Sequence, residues 1–325
     1  MEKNHQIGIV DIIALQNIEN CGNATINKIC NYIIDNGISL GSSKALNDIF
    51  PDLRKDKIIT SRLSYFDAHD AENVYHKAEN ILESHERLGI NAVSLFDNSF
   101  PEILKGTINE NGKADVPIVL YYKGDISATK LPSISIIGTR EPTDIGVQAG
   151  RYFGKAFADK GFNIVSGLAL GCDTSGHEGA LDAKGVTTAF LAHGLDTVYP
   201  PQNTELAENI VANGGILISE YPVGTPVSKY SLVARDRLQA GMSMATIVIQ
   251  TGIHGGTMHA ANTTLLAHKP LYVVKYKDMS IIQVQGNISL SQKGAEFITS
   301  SDVECIVDKL TSKKAFEEPF KDTLF

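Results

Sequence analysis

The chain has 325 residues, 43% of them hydrophobic and 20% charged, with a formal net charge of −8. That length favours two domains and a sizeable core, and the acidity argues against a uniformly basic surface for nucleic acid. No apolar run reaches membrane-spanning length, the start MEKNHQIGIV lacks a signal-peptide pattern, and Cys21, Cys30, Cys172 and Cys305 form no C-x-x-C pair. A cytoplasmic protein with reduced thiols is expected, with no membrane span, metal site or disulfide framework.

Residues 1–85 read as a separate helical domain. Ile9 to Leu15 is an apolar helical stripe, a turn holding Gly22 follows, and a second apolar helix starts near Asn23 or Thr25. This is the outline of a helix-hairpin-helix, although with a single hairpin glycine a plain helical packing module is the expectation. Further helices are predicted around Lys44–Ile49 and His69–Leu88. Residues 86–130 form a bridging extension with short strands at Val93–Leu95 and Ile118–Tyr122, broken by the turns at Phe100-Pro101 and Asn111-Gly112-Lys113.

Residues 131–310 alternate strand and helix. Ile134, Ile136 and Ile137 make an apolar run ended by Gly138, a helix follows over 146–160, and a strand resumes at Asn163 to Val165. Strands are predicted at Thr187–Leu191, Ile216–Ser219, Thr246–Gln250 and Leu271–Val274. Helices are predicted at His177–Lys184, Gln202–Asn213, Tyr230–Gly241 and Thr257–His268. The alternation predicts an α/β fold, a doubly wound parallel sheet of about six strands. Residues 311–325, charged with interspersed Phe316, Phe320 and Phe325, read as a flexible tail.

In such a sheet the loops leaving the carboxyl ends of the strands form the binding crevice. Gly138-Thr139-Arg140, Ser166-Gly167 and Gly255-Gly256-Thr257 all fall at predicted strand ends, and the last opens a helix. Glycine-rich loops let backbone amides approach an anion, a helix N-terminus favours one, and Arg140 adds a fork suited to phosphate oxygens. From Tyr221 to Lys277 the basic residues Lys229, Arg235, Arg237, Lys269, Lys275 and Lys277 face a single acid, Asp236, so a local basic surface is possible on an acidic protein. Arg235 and Arg237 either reach the rim or pair with acids such as Asp173 or Glu220. Tyr199, Tyr221 and Tyr230 are candidates for stacking on bases.

As an ordered set, SIIGTR, GFNIVSGLALGCDTSGHEGAL, LAHGLDTVYPPQN, GGILISEYPVGT, ARDRLQAGMS and GGTMHAAN resemble the DNA-processing protein A (DprA/Smf) family. SFPEILKGTINENGKADVPIVLYYKGDI and QGNISLSQKGAEFITSSDVECIVDKL are similar to that family as well. The resemblance implies an extended Rossmann-like sheet domain behind a helix-hairpin-helix or SAM-like helical one. It implies a cytoplasmic homodimer that binds single-stranded DNA during natural transformation, protects it and loads the RecA recombinase onto it, with no cofactor. The family's DNA-contacting arginine corresponds to Arg140, and its R-N-R segment to Arg235-Asp236-Arg237, where a carboxylate replaces the amide. Leu170 stands where the family often has Arg or Lys, and the residues after Leu310 leave no room for the winged-helix-like domain of many members. The phosphate-binding set expected is therefore Gly138, Thr139, Arg140, Ser166, Gly167, Lys229, Arg235, Arg237, Gly255, Gly256 and Thr257. Met242–Ala245 and Leu265–Leu266 are candidate dimer surfaces.

The alternative is a nucleotide-binding sensor or an enzyme similar to the nucleotide phosphoribohydrolases, whose G-G-x-G-T-x-x-E loop has Ala260 here in place of its Glu. Asp173, His177, Glu178 and Glu220 could form an acid–base cluster, although helix capping and loop bracing are the expected roles. The first turn is G-T-R-E-P and not G-x-G-x-x-G, so a dinucleotide cofactor is not expected.

Overall fold

The computed structural model describes residues 7–59, 63 and 66–312; the expected tail beyond Ser312 lies outside them. The chain divides into two compact units, one of Met1–Phe100 with Pro117–Tyr121, the other of Pro101–Val116 with Tyr122–Phe325.

The first unit holds helices α1 (Ile9–Gln16), α2 (Asn23–Asp35), α3 (Ser43–Lys55) and α4 (Ala68–Arg87), then strand β1 (Asn91–Ser94) and the start of β2 (Val119–Gly124). Its helices bury the apolar positions that the periodicity marked, among them Ile12, Ile13, Ile26, Ile29, Leu46 and Leu53. Gly22 is the N-cap of α2 in ordinary extended backbone. Asp11 is the polar centre of this unit. Its carboxylate is buried and accepts the Gly8 and Gly41 N–H groups at 2.7 and 2.9 Å and the Tyr75 hydroxyl. One carboxylate thus holds together three chain segments that a purely apolar interface would leave free to slide.

In the second unit strands β3 (Ser133–Ile137), β4 (Asn163–Ser166), β5 (Thr187–Leu191), β6 (Ile216–Ser219), β7 (Ala245–Val248), β8 (Leu271–Val274) and β9 (Glu296–Ile298) run parallel, in the order β6-β5-β4-β3-β7-β8-β9. Their connections carry α5 (Asp144–Ala158), α6 (Cys172–Asp182), α7 (Thr204–Ala212), α8 (Lys229–Met242), α9 (Gly256–Leu266) and α10 (Gln285–Gln292), and α11 (Val303–Thr311) follows. The α/β expectation holds, with seven parallel strands in this unit where about six were predicted. The additional strand, β9, has three residues and two of them are exposed, so it lacks the apolar run that marks its neighbours.

Successive strands step outward from β3 to β6, then the chain returns to the other side of β3 to lay down β7, β8 and β9. The order therefore reverses between β3 and β7, and the carboxyl ends of those two strands splay their loops apart there. One face of the sheet packs Ile134, Ile136, Ile164, Ala245 and Ile247 against Phe153 and Phe157 of α5; the other packs Ile137, Val248 and Val273 against Ala260 and Ala261 of α9.

Helices α5 and α6 approach closely enough that a methyl group at Gly154 would overlap the backbone oxygen of Gly176. Replacing Gly by Ala in a helix gains about 1 kcal/mol of propensity, whereas forcing extra volume into a tight contact costs about 1–3 kcal/mol. Gly154→Ala is expected to destabilise the protein in spite of the propensity gain, read as a lower urea midpoint. An unchanged or higher midpoint would show that the two helices part without cost.

Candidate functional site

A cavity of about 370 Å³ opens where the strand order reverses. Its walls are the loop after β3 (Gly138 to Glu141), Ala169 and Asp173 after β4, one face of α8, and the loop after β7 running into α9 (Thr251 to Thr257). Arg140 and Gly255-Gly256-Thr257, far apart in sequence, line the same space.

Gln250 holds the two main loops at a set distance. Its backbone oxygen accepts the Thr139 N–H at 2.7 Å, and its side-chain oxygen accepts the Thr143 N–H at 2.9 Å. The Thr139 amide is therefore spent inside the fold. What the turn presents to solvent is Arg140, exposed and with no ion-pair partner among the described residues. Across the cavity α9 begins at Gly255, whose φ of 125° is a conformation that side chains other than glycine rarely take, and no side chain caps the helix. The Met258 N–H turns back to the Gly255 oxygen at 3.1 Å, and the Gly256 and Thr257 N–H groups have no partner among the described residues, the arrangement in which a helix N-terminus attracts an anion.

Other members of the expected set have internal duties. Ser166 is fully buried and its hydroxyl donates to the Ile136 oxygen at 2.6 Å. The Gly167 N–H donates to Asp173 Oδ2 at 3.1 Å, and the Gly167 oxygen accepts Arg235 Nη1 at 2.7 Å. A side chain at Gly167 would collide with that guanidinium. Gly167 thus seats an arginine and the Ser166 hydroxyl is spent on a neighbouring strand, so these groups are engaged inside the fold where the sequence reading had them free for a phosphate. Arg235 is 5% exposed. Its Nη1 also donates to the Phe190 oxygen, and its Nε donates to Asp236 Oδ1 at 3.2 Å.

Arg237 is closed off altogether. Nη1 and Nη2 donate to the two Glu220 oxygens at 2.6 and 2.7 Å, and Nε lies 2.8 Å from Asp115 Oδ2. Of the two roles the sequence left open for this residue, the structure shows the ion pair with Glu220. Lys269 is internal too, donating to the Ala240 and Gly241 oxygens at the end of α8 at 2.9 and 2.6 Å. The basic surface read from residues 221–277 therefore shrinks to Lys229, Lys275 and Lys277, all exposed. Lys229 opens α8 outside the cavity lining.

Charge in the cavity is mixed. Arg140 and Arg235 stand among Glu141, Asp173 and Asp236. Burial pushes the Asp173 carboxyl above its usual range, against the pull of Arg235 and two backbone N–H groups. Burial likewise pushes Asp236 up to about 6, with Arg235 opposing and Asp173 adding to the rise. Gln250, Gln239 and Glu141 stand out in no sequence motif, because no motif marks a residue whose role comes from a neighbouring strand.

The suggested acid–base cluster is dispersed. Asp173 braces its own loop, and His177 is fully buried with Nδ1 2.6 Å from Thr187 Oγ1; burial, then Arg235, pushes its pKa down to about 3. Glu178 pairs with Arg151 at 3.3 Å and Glu220 with Arg237. Met242, Ser243 and Ala245 are buried within the chain, which removes Met242–Ala245 as a dimer surface; Leu266 is exposed. Among the described residues no helix is long and apolar enough to cross a membrane.

Comparison with known proteins bears on this site. The family described as DNA recombination-mediator protein A matches residues 91–310. Protein Smf of Synechocystis sp. is 34% identical over 68% of this chain and 54% of its own length, so the chain spans about half of that relative. DNA processing protein DprA of Bacillus subtilis is 33% identical over 77% of this chain and 82% of its own. Among solved structures, DNA processing protein A of Streptococcus pneumoniae superposes with a TM-score of 0.73 over 92% of this chain and 98% of that one, at 24% identity, a likeness of fold. The Helicobacter pylori protein, described for its single-stranded DNA binding mode, gives 0.58 at 29% identity over 68% of this chain and 96% of its own. With the match running from β1 into α11 and two curated relatives above 30% identity, the chain belongs to the DNA recombination-mediator protein A family.

Proposed function

We propose that this protein is a cytoplasmic DNA-processing protein that binds single-stranded DNA across the cavity between β3 and β7, by binding and not by catalysis. Protection of incoming DNA in natural transformation, loading of RecA and a homodimeric state complete the proposal and are carried by family membership. The observation behind the DNA-binding part is the opposition of Arg140 to the uncapped α9 N-terminus across one cavity. A guanidinium and the open N–H groups of Gly256 and Thr257 suit a phosphate, and neither reads base identity, so the affinity is salt-dependent and sequence-tolerant. Gly138 and Thr139 carry Arg140; Gly255, Gly256 and Thr257 supply the helix terminus.

Lys229 and Tyr230 extend the path. Tyr230 is 89% exposed and lies three residues before Val233, a cavity-lining residue, so the two share a face of α8. An aromatic ring held in water beside a phosphate seat is suited to stacking on a base. Arg235 and Arg237 belong to the framework of the site in this proposal, not to its DNA-contacting surface.

A second reading has one observation in its favour. The cavity's volume of about 370 Å³ falls in the range of small-ligand pockets, as a nucleotide-binding sensor would need.

Titration of a labelled oligo-dT at several salt concentrations tests both readings. Arg140→Ala is expected to weaken binding about tenfold and to lower the log–log salt slope by about 0.7, one phosphate contact on a single strand. Tyr230→Ala is expected to weaken binding by about 1–3 kcal/mol with the salt slope intact. Full displacement of the oligonucleotide by a mononucleotide, with no dependence on strand length, would favour the sensor.

Arg237→Ala is expected to act through folding. Removing one partner of this buried pair leaves Glu220 uncompensated and costs about 3–5 kcal/mol in urea unfolding. DNA binding lost in this variant with stability unchanged would return Arg237 to the interface.

A further inference from the structure

The cavity floor carries a charge of the wrong sign for a phosphate seat. Asp236 is 8% exposed on α8, and its Oδ1 accepts Arg235 Nε at 3.2 Å and Gln239 Nε2 at 3.1 Å. Its other oxygen turns toward α9: a methyl group added at Gly256 would sit 3.7 Å from Asp236 Oδ2. That helix has no N-cap side chain of its own. Asp236 gives it, from a neighbouring helix, the negative charge that a capping carboxylate supplies.

We infer that Asp236 and an incoming backbone phosphate compete for the N-terminus of α9, so that the cavity takes up a proton on Asp236 when it takes up the phosphate. The inference rests on the proposed use of this cavity as a phosphate seat. Two ionised groups of like sign at one helix end repel, and of the two the carboxylate is the one that neutralises near neutral pH. Its own surroundings already favour that step, because burial, only partly offset by Arg235, pushes the free group up to about 6. A phosphate alongside pushes it further in the same direction.

Gln239 lets that proton be taken up without loss of its contact to Asp236. Its Nε2 donates to Asp236 Oδ1, and its Oε1 is buried with no hydrogen-bond partner among the described residues. A protonated Asp236 has an O–H to donate, and a half-turn of the Gln239 amide presents Oε1 to accept it, with Nε2 taking the place Oε1 held.

Other charged and titrating groups face the same space. Arg235 lies on α8, Asp173 on α6, His259 on α9, Arg140 and Glu141 on the loop after β3, and His254 on the loop after β7; Glu110 is 3.4 Å from His259 Nδ1. His254 and His259 are the histidines of this space, and the experiment separates them from Asp236.

The test is anisotropy of rhodamine-labelled oligo-dT at fixed ionic strength. It compares the wild type, Asp236→Asn, Arg140→Ala and a variant with His254→Gln and His259→Gln. Wild-type affinity is expected to rise as pH falls from about 8 to about 6, approaching the one-proton limit of about tenfold per pH unit, and to level off below. Asp236→Asn is expected to bind more tightly at the alkaline end and to lose most of that rise, while the histidine variant keeps it. Calorimetry of the wild type in two buffers of different ionisation enthalpy is expected to show proton uptake approaching one per site near neutrality. Parallel pH curves for wild type and Asp236→Asn, or no proton uptake by the wild type, would overturn the inference while a weakened Arg140→Ala leaves the phosphate seat standing. If Arg140→Ala binds like wild type, the seat itself is wrong and the inference falls with it.

Discussion

A buried guanidinium sets the architecture of the site. Arg235 reaches from α8 to the carbonyl oxygens of Gly167 and Phe190, at the carboxyl-end side of β4 and β5, and its own neighbour Asp236 accepts from its Nε. An unpaired charge in that position would be costly, so every group around it is arranged to compensate. Gly167 has no side chain because the guanidinium occupies the place of one, and Asp173 takes the Gly167 and Ala169 N–H groups while adding an opposite charge nearby. The Gly167 amide and carbonyl are thereby spent inside the fold, and the open space lies between β3 and β7 with Ala169 and Asp173 on its wall.

Beside this framework the second arginine of the same segment does a similar task. Arg237 joins α8 to Glu220 after β6 and to Asp115 through all three of its guanidinium nitrogens, so α8 is fixed at two points over the strand ends. With α8 fixed, the α9 N-terminus opposite it keeps its distance, and the Gln250 contacts do the same for the Arg140 turn. A binding surface of exposed loops gains precision when the elements behind it cannot shift.

This division of labour reconciles a net charge of −8 with the anionic ligand proposed for the cavity. Half of the basic residues counted between 221 and 277 are consumed inside the fold, and burial there pushes both Asp173 and Asp236 toward their neutral forms. What faces solvent around the cavity is Arg140, its neighbour Glu141 and the N-terminal dipole of α9. Helix termini and backbone amides do not appear in a formal charge count, so net charge says little about this cavity.

The primary sequence alone determined the kind of sheet, because strand–helix alternation with short apolar runs admits few arrangements, and it located the glycine turns at the strand ends, since only such residues pass the chain that close to its neighbours. It also carried the family, through many short motifs in a set order. It could not assign the arginines: Arg140, Arg235 and Arg237 look alike as letters, and their roles differ only through partners on other strands. Gly167 and Gly255 likewise share a residue type, but one makes room for a guanidinium and the other turns the chain at φ 125° into a helix. Those distinctions arise from which groups the fold brings within hydrogen-bonding reach, and that is decided by the tertiary arrangement because the contacts join residues tens of positions apart.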